Sequence, residues 1–214
     1  MPSPETTNVV ATRALPKPRL RSDVSLEEAI ARRESVREFA PRLLRREEIS
    51  QLLWAAQGLT REWGARSAPS AGALYPLELY VATPEGLFHY LPEGHRLDLL
   101  SEDDPRGGLA LAVLGQEAVE KAAAVFVITA VHARSAVKYG ARGDRFVMLE
   151  AGHVAQNLLL QAVALGLAAV PIGAFEDDEV WAVLELPRKR RPLYLVAVGN
   201  PGTPRRTRIG GLRA

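Results

Sequence analysis

RFVMLEAGHVAQNLLLQAVAL, residues 145–165, is the stretch of sequence that decides the fold. Its apolar side chains fall on nearly every side of a helical period, which is typical of a helix buried in the middle of a domain. Glu150 and His153 interrupt it with the Glu-x-x-His spacing of a di-iron ligand pair. Such a site needs a second Glu-x-x-His and two further glutamates, and the sequence has no second copy, so we predict no metal site. We expect His153 to be buried and hydrogen-bonded to a carboxylate or carbonyl group.

The segments around this helix mix helices and hairpins without a βαβ repeat. A capping-box pattern begins a helix at Ser25, with Glu28 three residues later. The apolar spacing predicts further helices over 47–57, 108–122 and 177–184, and strands over 78–83, 86–100 (as a hairpin), 122–131, 167–175 and 193–199. This order favours an α+β fold built around the central helix over a doubly wound parallel sheet.

Composition and charge divide the chain into three parts. The 214 residues are 47% apolar and 24% charged, which is the composition of a globular protein. Residues 1–24 carry four prolines and no apolar signal-peptide core, so we predict a flexible leader there and a folded domain over 25–200. Residues 188–214 hold eight lysines and arginines and no acidic residue. We interpret the end of this stretch, 201–214, as a basic arm that meets an anion.

The sequence also limits the redox chemistry and the location. It contains no cysteine, which excludes disulfides, iron–sulfur clusters and thiol nucleophiles. Any redox chemistry therefore needs a bound cofactor. The longest apolar stretch, 154–175, is interrupted by Gln156, Asn157, Gln161, Gly166 and Pro171, so we predict no membrane span and a cytoplasmic protein.

Two short motifs could carry chemistry, whereas GxGxxG, Walker A and GxSxG patterns do not occur. Arg33, Ser35 and Arg37 place two guanidinium groups and a hydroxyl within five residues, as a phosphate monoester requires. The loop PSAGALYP, residues 69–76, has small residues that let a backbone approach a flat ligand closely. Taken alone, each motif also fits an ordinary charged helix end or a tight loop.

Together these motifs resemble the nitroreductase superfamily, and within it the SagB-type branch of azoline-oxidising dehydrogenases from thiazole/oxazole-modified peptide pathways. The resemblance covers about residues 25–200. It rests on Arg-x-Ser-x-Arg-x-Phe at 33–39, PSAGALYPLELYV at 69–81, KYGARGDRFVMLEAGHVAQNLLLQA at 138–162 and PIGAF at 171–175. These four matches occur in the family's order, which makes the resemblance specific.

The resemblance implies a nitroreductase-like FMN-binding fold, with a mixed, mainly antiparallel sheet around the buried central helix. It also implies a homodimer with FMN at the subunit interface. By this analogy Arg33, Ser35 and Arg37 would hold the FMN phosphate, together with Arg205 or Arg206 from the basic arm.

The same analogy assigns contacts to the flavin ring. Pro69 and Ser70 would approach the isoalloxazine from the partner subunit. The backbone of Pro171, Ile172 and Gly173 would lie near the ring.

Lys138 and Tyr139 match a Lys-Tyr pair to which this branch assigns proton abstraction, while the flavin accepts a hydride at N5. A lysine partly desolvated beside other cations, here Arg142 and Arg145, has its neutral, basic form favoured. The sequence also fits a Lys-Tyr pair in a surface turn before the central helix.

We therefore expect an FMN-dependent oxidoreductase that resembles SagB-type dehydrogenases and acts on a small molecule or a peptide. One alternative is an NAD(P)H-dependent nitro- or quinone-type reductase on the same scaffold. Another is a non-catalytic flavin- or nucleic-acid-binding module that uses the RKRR sequence at 188–191. Tyr194 is the only aromatic residue within 188–214, which argues against nucleic-acid binding.

Overall fold

The computed structural model describes residues 8–202. Its strands are β1 (Ala11–Ala14), β2 (Phe39–Ala40), β3 (Leu77–Thr83), β4 (Gly86–Leu91), β5 (Arg96–Ser101), β6 (Ala124–Ala130), β7 (Ala168–Ile172) and β8 (Arg191–Pro201). Its α-helices are α1 (Leu26–Arg32), α2 (Arg46–Gln57), α3 (Arg106–Ala112), α4 (Glu117–Lys121), α5 (His132–Tyr139), α6 (Gly143–Ala164) and α7 (Asp177–Leu184). Single 3₁₀ turns occur at Ala71–Ala73 and Gly140–Arg142.

The strands form one sheet in the order β1-β5-β4-β3-β6-β8-β2, with β7 also paired to β8. Every strand pair within residues 8–202 is antiparallel. β8 is long enough to pair with β7 through residues 195–199 and then with β2 through residues 200 and 201. The prediction of an α+β fold with a mainly antiparallel sheet is confirmed.

Helices cover both faces of the sheet. Successive residues of β6 alternate between the two sides, so Phe126 packs with Val154 and Leu158 of α6 while Val127 packs with the cluster formed by α3, α4 and α7. All seven residues of β6 are buried. A continuous apolar run is therefore the sequence of a strand covered on both faces, as we predicted from residues 122–131.

Helix α6 is central, but it is not buried on every side. Val147, Val154 and Leu158 are fully buried against the sheet, whereas Met148 and Leu149 are 55% and 52% exposed. His153 lies on the exposed side as well, so the prediction of a buried His153 is wrong. The sequence pattern cannot distinguish an apolar helix face that points away from the sheet from one that packs into the core, and this is why the prediction failed.

The segment that we predicted as a flexible leader is partly in the sheet. Residues 11–14 pair with β5, and the Arg19 backbone N–H donates to Gln51 Oε1 at 2.8 Å. All four residues of β1 are exposed, so the strand has no apolar alternation that would have marked it in the sequence. It forms because its backbone satisfies the free edge of β5.

Two further boundaries differ from the sequence prediction. The helix expected over 108–122 is broken into α3 and α4, because Leu114 and Gly115 have φ of 61° and 74° and cannot continue a right-handed helix. Lys138 and Tyr139, expected in a turn, are the last two residues of α5.

No helix within residues 8–202 is both long and apolar enough to cross a membrane. The apolar stretch 154–175 is instead shared between two elements, the C-terminal half of α6 and strand β7.

Candidate active site

The Arg-x-Ser-x-Arg motif lies beside strand β7. Helix α1 begins at the N-cap Ser25, whose hydroxyl accepts from the Glu28 N–H, and Arg33 leaves the helix in an extended conformation. The extended chain then follows the sheet, because the Val36 N–H donates to the Ala169 carbonyl at 3.0 Å and the Gly202 N–H donates to the Glu38 carbonyl at 2.9 Å. The motif is therefore fixed by backbone contacts and leaves its side chains available.

The three side chains of the motif have no partner in the part of the chain that the structure describes. Arg33 is half-buried, and Ser35 and Arg37 are exposed. Within residues 8–202 none of the three side chains makes a hydrogen bond or an ion pair, whereas the neighbouring Arg32 pairs with Glu28 at 2.8 Å. Two free guanidinium groups and a free hydroxyl on one extended segment are suited to bind an anion. Arg205 and Arg206, the other predicted phosphate ligands, lie outside the described residues.

The predicted flavin-edge residues are close to this motif. Pro171 and Ile172 end β7, two residues beyond the Ala169 carbonyl that Val36 contacts, and Gly173 follows with an exposed backbone. Gln116, which the sequence did not single out, donates from Nε2 to the Ala174 carbonyl at 3.4 Å. The Val36–Ala169 hydrogen bond links the phosphate motif to the strand that carries the flavin-edge segment, and we call the two together the phosphate cluster (Arg33, Ser35, Arg37 and residues 171–173).

The loop 69–76 is held in a strained conformation. Gly72, Ala73 and Tyr75 have φ of 63°, 55° and 44°. The left-handed region disfavours residues with a Cβ, so Ala73 and Tyr75 are held there by surrounding contacts. The Ser70 Oγ accepts from the Tyr75 N–H at 2.9 Å and closes the loop. Pro69 is exposed, whereas the Ser70 hydroxyl and carbonyl both accept hydrogen bonds within the loop, from the N–H groups of Tyr75 and Ala73.

The same loop contacts the Lys-Tyr pair. A Cβ on Gly72 would lie 2.9 Å from Tyr139 Oη and 3.0 Å from Lys138 Nζ, so the loop can pass this closely because residue 72 is glycine. Tyr139 packs edge-on against Phe146 of α6 with ring centroids 4.7 Å apart. Lys138 is exposed in the chain. We call this group the loop cluster (Pro69, Ser70, Gly72, Lys138 and Tyr139).

Glu150 connects the loop cluster to the core. Its side chain is buried on α6, and its Oε1 accepts from Gln57 Nε2 at 3.5 Å. Burial raises the pKa of Glu150, while hydrogen bonds from Ser70 and Gln57 oppose that shift. Arg66 Nη1 donates to Gln57 Oε1 at 3.0 Å, and the Arg66 guanidinium lies 4.7 Å from the centroid of the Tyr75 ring. The sequence presented Glu150 only as a partner of His153, and the structure pairs it with the loop instead.

The two clusters are not bonded to each other in the described part of the chain. No hydrogen bond or ion pair between residues 8–202 joins the phosphate cluster to the loop cluster. The phosphate cluster offers cationic donors and exposed backbone, and the loop cluster offers an amine and a phenol that could accept or donate a proton.

Known proteins with similar sequences and structures indicate one family. The Nitroreductase family model matches residues 30–200. The "Putative nitroreductase MJ1384" of Methanocaldococcus jannaschii is 42% identical over 184 residues, which cover 83% of this chain and 92% of that protein. A crystal structure titled as a "putative nitroreductase" from Ralstonia eutropha is 30% identical, covers 90% of both chains and superposes with a TM-score of 0.82.

A more distant relative is the microcin B17-processing protein McbC of Escherichia coli. It is 26% identical over 148 residues, which cover 63% of this chain. The same match covers 54% of McbC, so this chain spans about half the length of that relative.

Replacing Glu150 with glutamine tests its environment through the pH dependence of stability. The folded state favours the protonated carboxyl, so wild type loses stability as pH rises from the ordinary pKa of 4.5 through the raised value. Glu150→Gln, which cannot ionise, should gain stability relative to wild type over that range, by about 1.4 kcal/mol for each unit of raised pKa. Urea unfolding of both proteins at a series of pH values measures the difference.

Glu48→Gln is the matched control of opposite sign. Burial alone would raise the pKa of Glu48. Hydrogen bonds from the Arg45 backbone and from the Arg45 and Arg42 guanidiniums outweigh that effect and lower the pKa. The control should therefore be less stable than wild type at neutral pH, and the deficit should shrink as pH falls below 4.5. Parallel stability curves for wild type and Glu150→Gln would contradict the assignment.

Proposed function

The chain belongs to the nitroreductase family, and on that premise we propose that it is an FMN-dependent oxidoreductase whose site is completed by a second copy of the chain. The observation that carries the proposal is the phosphate cluster, where three side chains free of partners within residues 8–202 stand beside the exposed backbone at the end of β7. FMN carries a phosphate monoester and a flat ring, and this cluster offers a matching donor set for each. When bound, FMN supplies two-electron chemistry by hydride transfer at N5.

The side chains and the backbone of the phosphate cluster bind different parts of FMN in this proposal. Arg33, Ser35 and Arg37 hold the phosphate, joined by Arg205 or Arg206. The backbone of 171–173 lies at the edge of the ring, where Gln116 supports it through Ala174.

A homodimer would bring the two clusters together. Pro69 and Ser70 are in the loop cluster, so they reach a flavin held by the phosphate cluster most directly if the two belong to different protomers. The exposed apolar side chains of Val137 on α5 and of Met148 and Leu149 on α6 support such an interface. Exposed apolar side chains on neighbouring helices would be covered from water where two chains meet.

For the reaction we propose a dehydrogenation of the SagB type. A substrate carbon then loses a hydride to the cofactor, and the adjacent position loses a proton, which Lys138 Nζ accepts with Tyr139 beside it. The contact of Gly72 with both side chains fixes the pair next to the loop that approaches the ring. McbC, which is named for processing microcin B17, supports a peptide as one class of substrate, and a small molecule is the other.

A reductase is the second candidate, favoured by the stronger similarity to the M. jannaschii protein named as a nitroreductase. In that case NAD(P)H supplies the hydride and Lys138 has no essential part in the reductive step. The RKRR sequence gives little support to a nucleic-acid module, because Arg188 and Arg191 lie over Trp181 and Arg190 bonds to Tyr80.

We expect Arg37→Ala to weaken FMN binding by about 10- to 100-fold, because it removes a hydrogen bond between charged groups. Titration of the apo-protein with FMN, followed by flavin fluorescence, measures the change. Arg32→Ala is the control, since Arg32 is exposed and paired with Glu28, and its affinity should equal that of wild type. Unchanged affinity in Arg37→Ala would show that the phosphate binds elsewhere.

Lys138→Ala separates the two enzyme candidates. Loss of a general base lowers rates by about 10²- to 10⁴-fold, so under the dehydrogenase proposal this variant should bind FMN normally but oxidise an azoline substrate slowly. Arg188→Ala, which removes an exposed cation outside the loop cluster, should retain the wild-type rate. The measurement is anaerobic stopped-flow reduction of the flavin by an azoline peptide and, separately, by NADH and NADPH.

Equal and fast reduction of wild type and Lys138→Ala by a nicotinamide would favour the reductase and remove the catalytic role of the pair. A wild type that neither nucleotide reduces would exclude the reductase.

A further inference from the structure

A cavity lies next to the loop 69–76. It is at the end of the sheet where β3 begins and β4 ends. Its volume is about 460 Å³, and the loop contributes Leu74 and Tyr75 to its wall. This volume falls within the range of small-molecule sites, roughly 300–1,000 Å³. The proposed function makes no use of this cavity.

The cavity is lined by more cationic than anionic side chains. Three arginines, Arg66, Arg134 and Arg190, face it together with two glutamates, Glu78 and Glu93. The wall also holds a histidine, His89, so the lining has a positive balance even when the imidazole is neutral.

The two glutamates are already paired. Glu78 accepts from His89 Nε2 at 2.6 Å and from Arg134 Nη2. Burial alone would raise the pKa of Glu78, but His89, Arg134 and Arg190 lower it to about 2. The carboxylate is therefore ionised, and these neighbouring groups balance its charge. Glu93 accepts from Arg66 Nη2 at 3.2 Å.

Arg190 is the arginine of this cavity that forms no ion pair at contact distance among the described residues, although its charge helps to lower the pKa of Glu78. Within residues 8–202 its guanidinium forms no ion pair, and its Nη1 donates to Tyr80 Oη. Burial raises the pKa of Tyr80 to about 12, so this partner is a neutral phenol. The buried Nε of Arg190 has no hydrogen-bond partner among the described residues. Because this Nε is closed to solvent, a ligand in the cavity can contact only the terminal N–H groups of the half-buried Arg190.

We propose that this cavity binds the carboxylate group of a small monocarboxylic acid, with Arg190 as its anchor. A planar guanidinium matches a planar carboxylate through two parallel hydrogen bonds. A phosphate dianion fits less well, because the ionised Glu78 lies beside the same arginines and repels a second negative charge. Tyr75, Tyr90 and Leu74 give the acid a partly apolar wall for a flat or aliphatic body.

The cavity shares the loop with the proposed catalytic pair. Arg134 Nη1 donates to the Tyr75 carbonyl at 3.0 Å, and Lys138 follows one helical turn later on α5, where it meets Gly72. A bound acid would therefore contact the loop whose other residues face Lys138 and Tyr139. The binding site itself does not depend on the FMN assignment, so either proposal can fail alone.

The test is calorimetric titration of the purified protein with benzoate, and with benzamide as a neutral molecule of the same shape. We expect benzoate to bind at least 10-fold more tightly than benzamide, because a hydrogen bond to a charged group is lost in the amide. Inorganic phosphate should not displace benzoate. Equal binding of the two probes, or no binding of benzoate, would overturn the proposal without use of any variant.

Variants and a labelled probe locate the site. Arg190→Met should weaken benzoate by about 10- to 100-fold, and Arg190→Lys, which keeps the charge but loses the planar donor edge, should also weaken it. Arg188→Met, at an exposed neighbouring arginine, should bind as wild type does. Crystals soaked in 4-bromobenzoate should show anomalous bromine signal in the cavity. Bromine found only at another site, or unchanged affinity in both Arg190 variants, would refute the assignment.

Discussion

A carboxyl group buried at the centre of the fold must find hydrogen-bond partners, and the partners of Glu150 hold the loop cluster in place. Helix α6 lies against the sheet through Val154 and Leu158, which places Glu150 where water does not reach it. Gln57 on α2 and Ser70 in the loop satisfy the carboxyl, and Ser70 in turn closes the loop on Tyr75. The position of α6 therefore fixes the loop through Ser70. The same loop places Gly72 next to Lys138 and Tyr139.

This arrangement leaves the candidate groups in two clusters that no hydrogen bond or ion pair among residues 8–202 joins. The phosphate cluster depends on backbone pairing at β7, and the loop cluster depends on α5 and α6. The exposed apolar side of α6 lies on the helix that supports the loop cluster, so association through that side would place the loop of one protomer near its partner. In the proposed homodimer, the same helix would provide both the core of the subunit and the surface that completes the site.

The sequence predicted the elements that bury apolar residues, because burial leaves a periodic signal. The continuous apolar run correctly predicted strand β6, and the capping-box pattern at Ser25 correctly predicted helix α1. The mainly antiparallel sheet is also confirmed. Features that depend on backbone pairing or on the outward side of a helix left no such signal. Strand β1 consists of exposed residues, and His153 sits on an apolar but exposed side of α6. The sequence could not predict the contacts of Gln116 with Ala174 or of Arg190 with Tyr80, since these residues are distant in the chain.

Subunit complementation tests most directly whether the site is shared between two chains. Arg37→Ala damages the phosphate cluster, and Pro69→Trp, at an exposed position, blocks the approach of the loop cluster to the ring. Each variant homodimer should lose most of its weakly held FMN during gel filtration, but each mixed dimer should contain one intact site. Equal co-refolding, followed by flavin absorbance after gel filtration, should therefore recover about a quarter of the wild-type FMN content, since mixed dimers form in a statistical proportion of about one half. No recovery above the two parent variants would show that both clusters serve a flavin within one chain and would contradict the account.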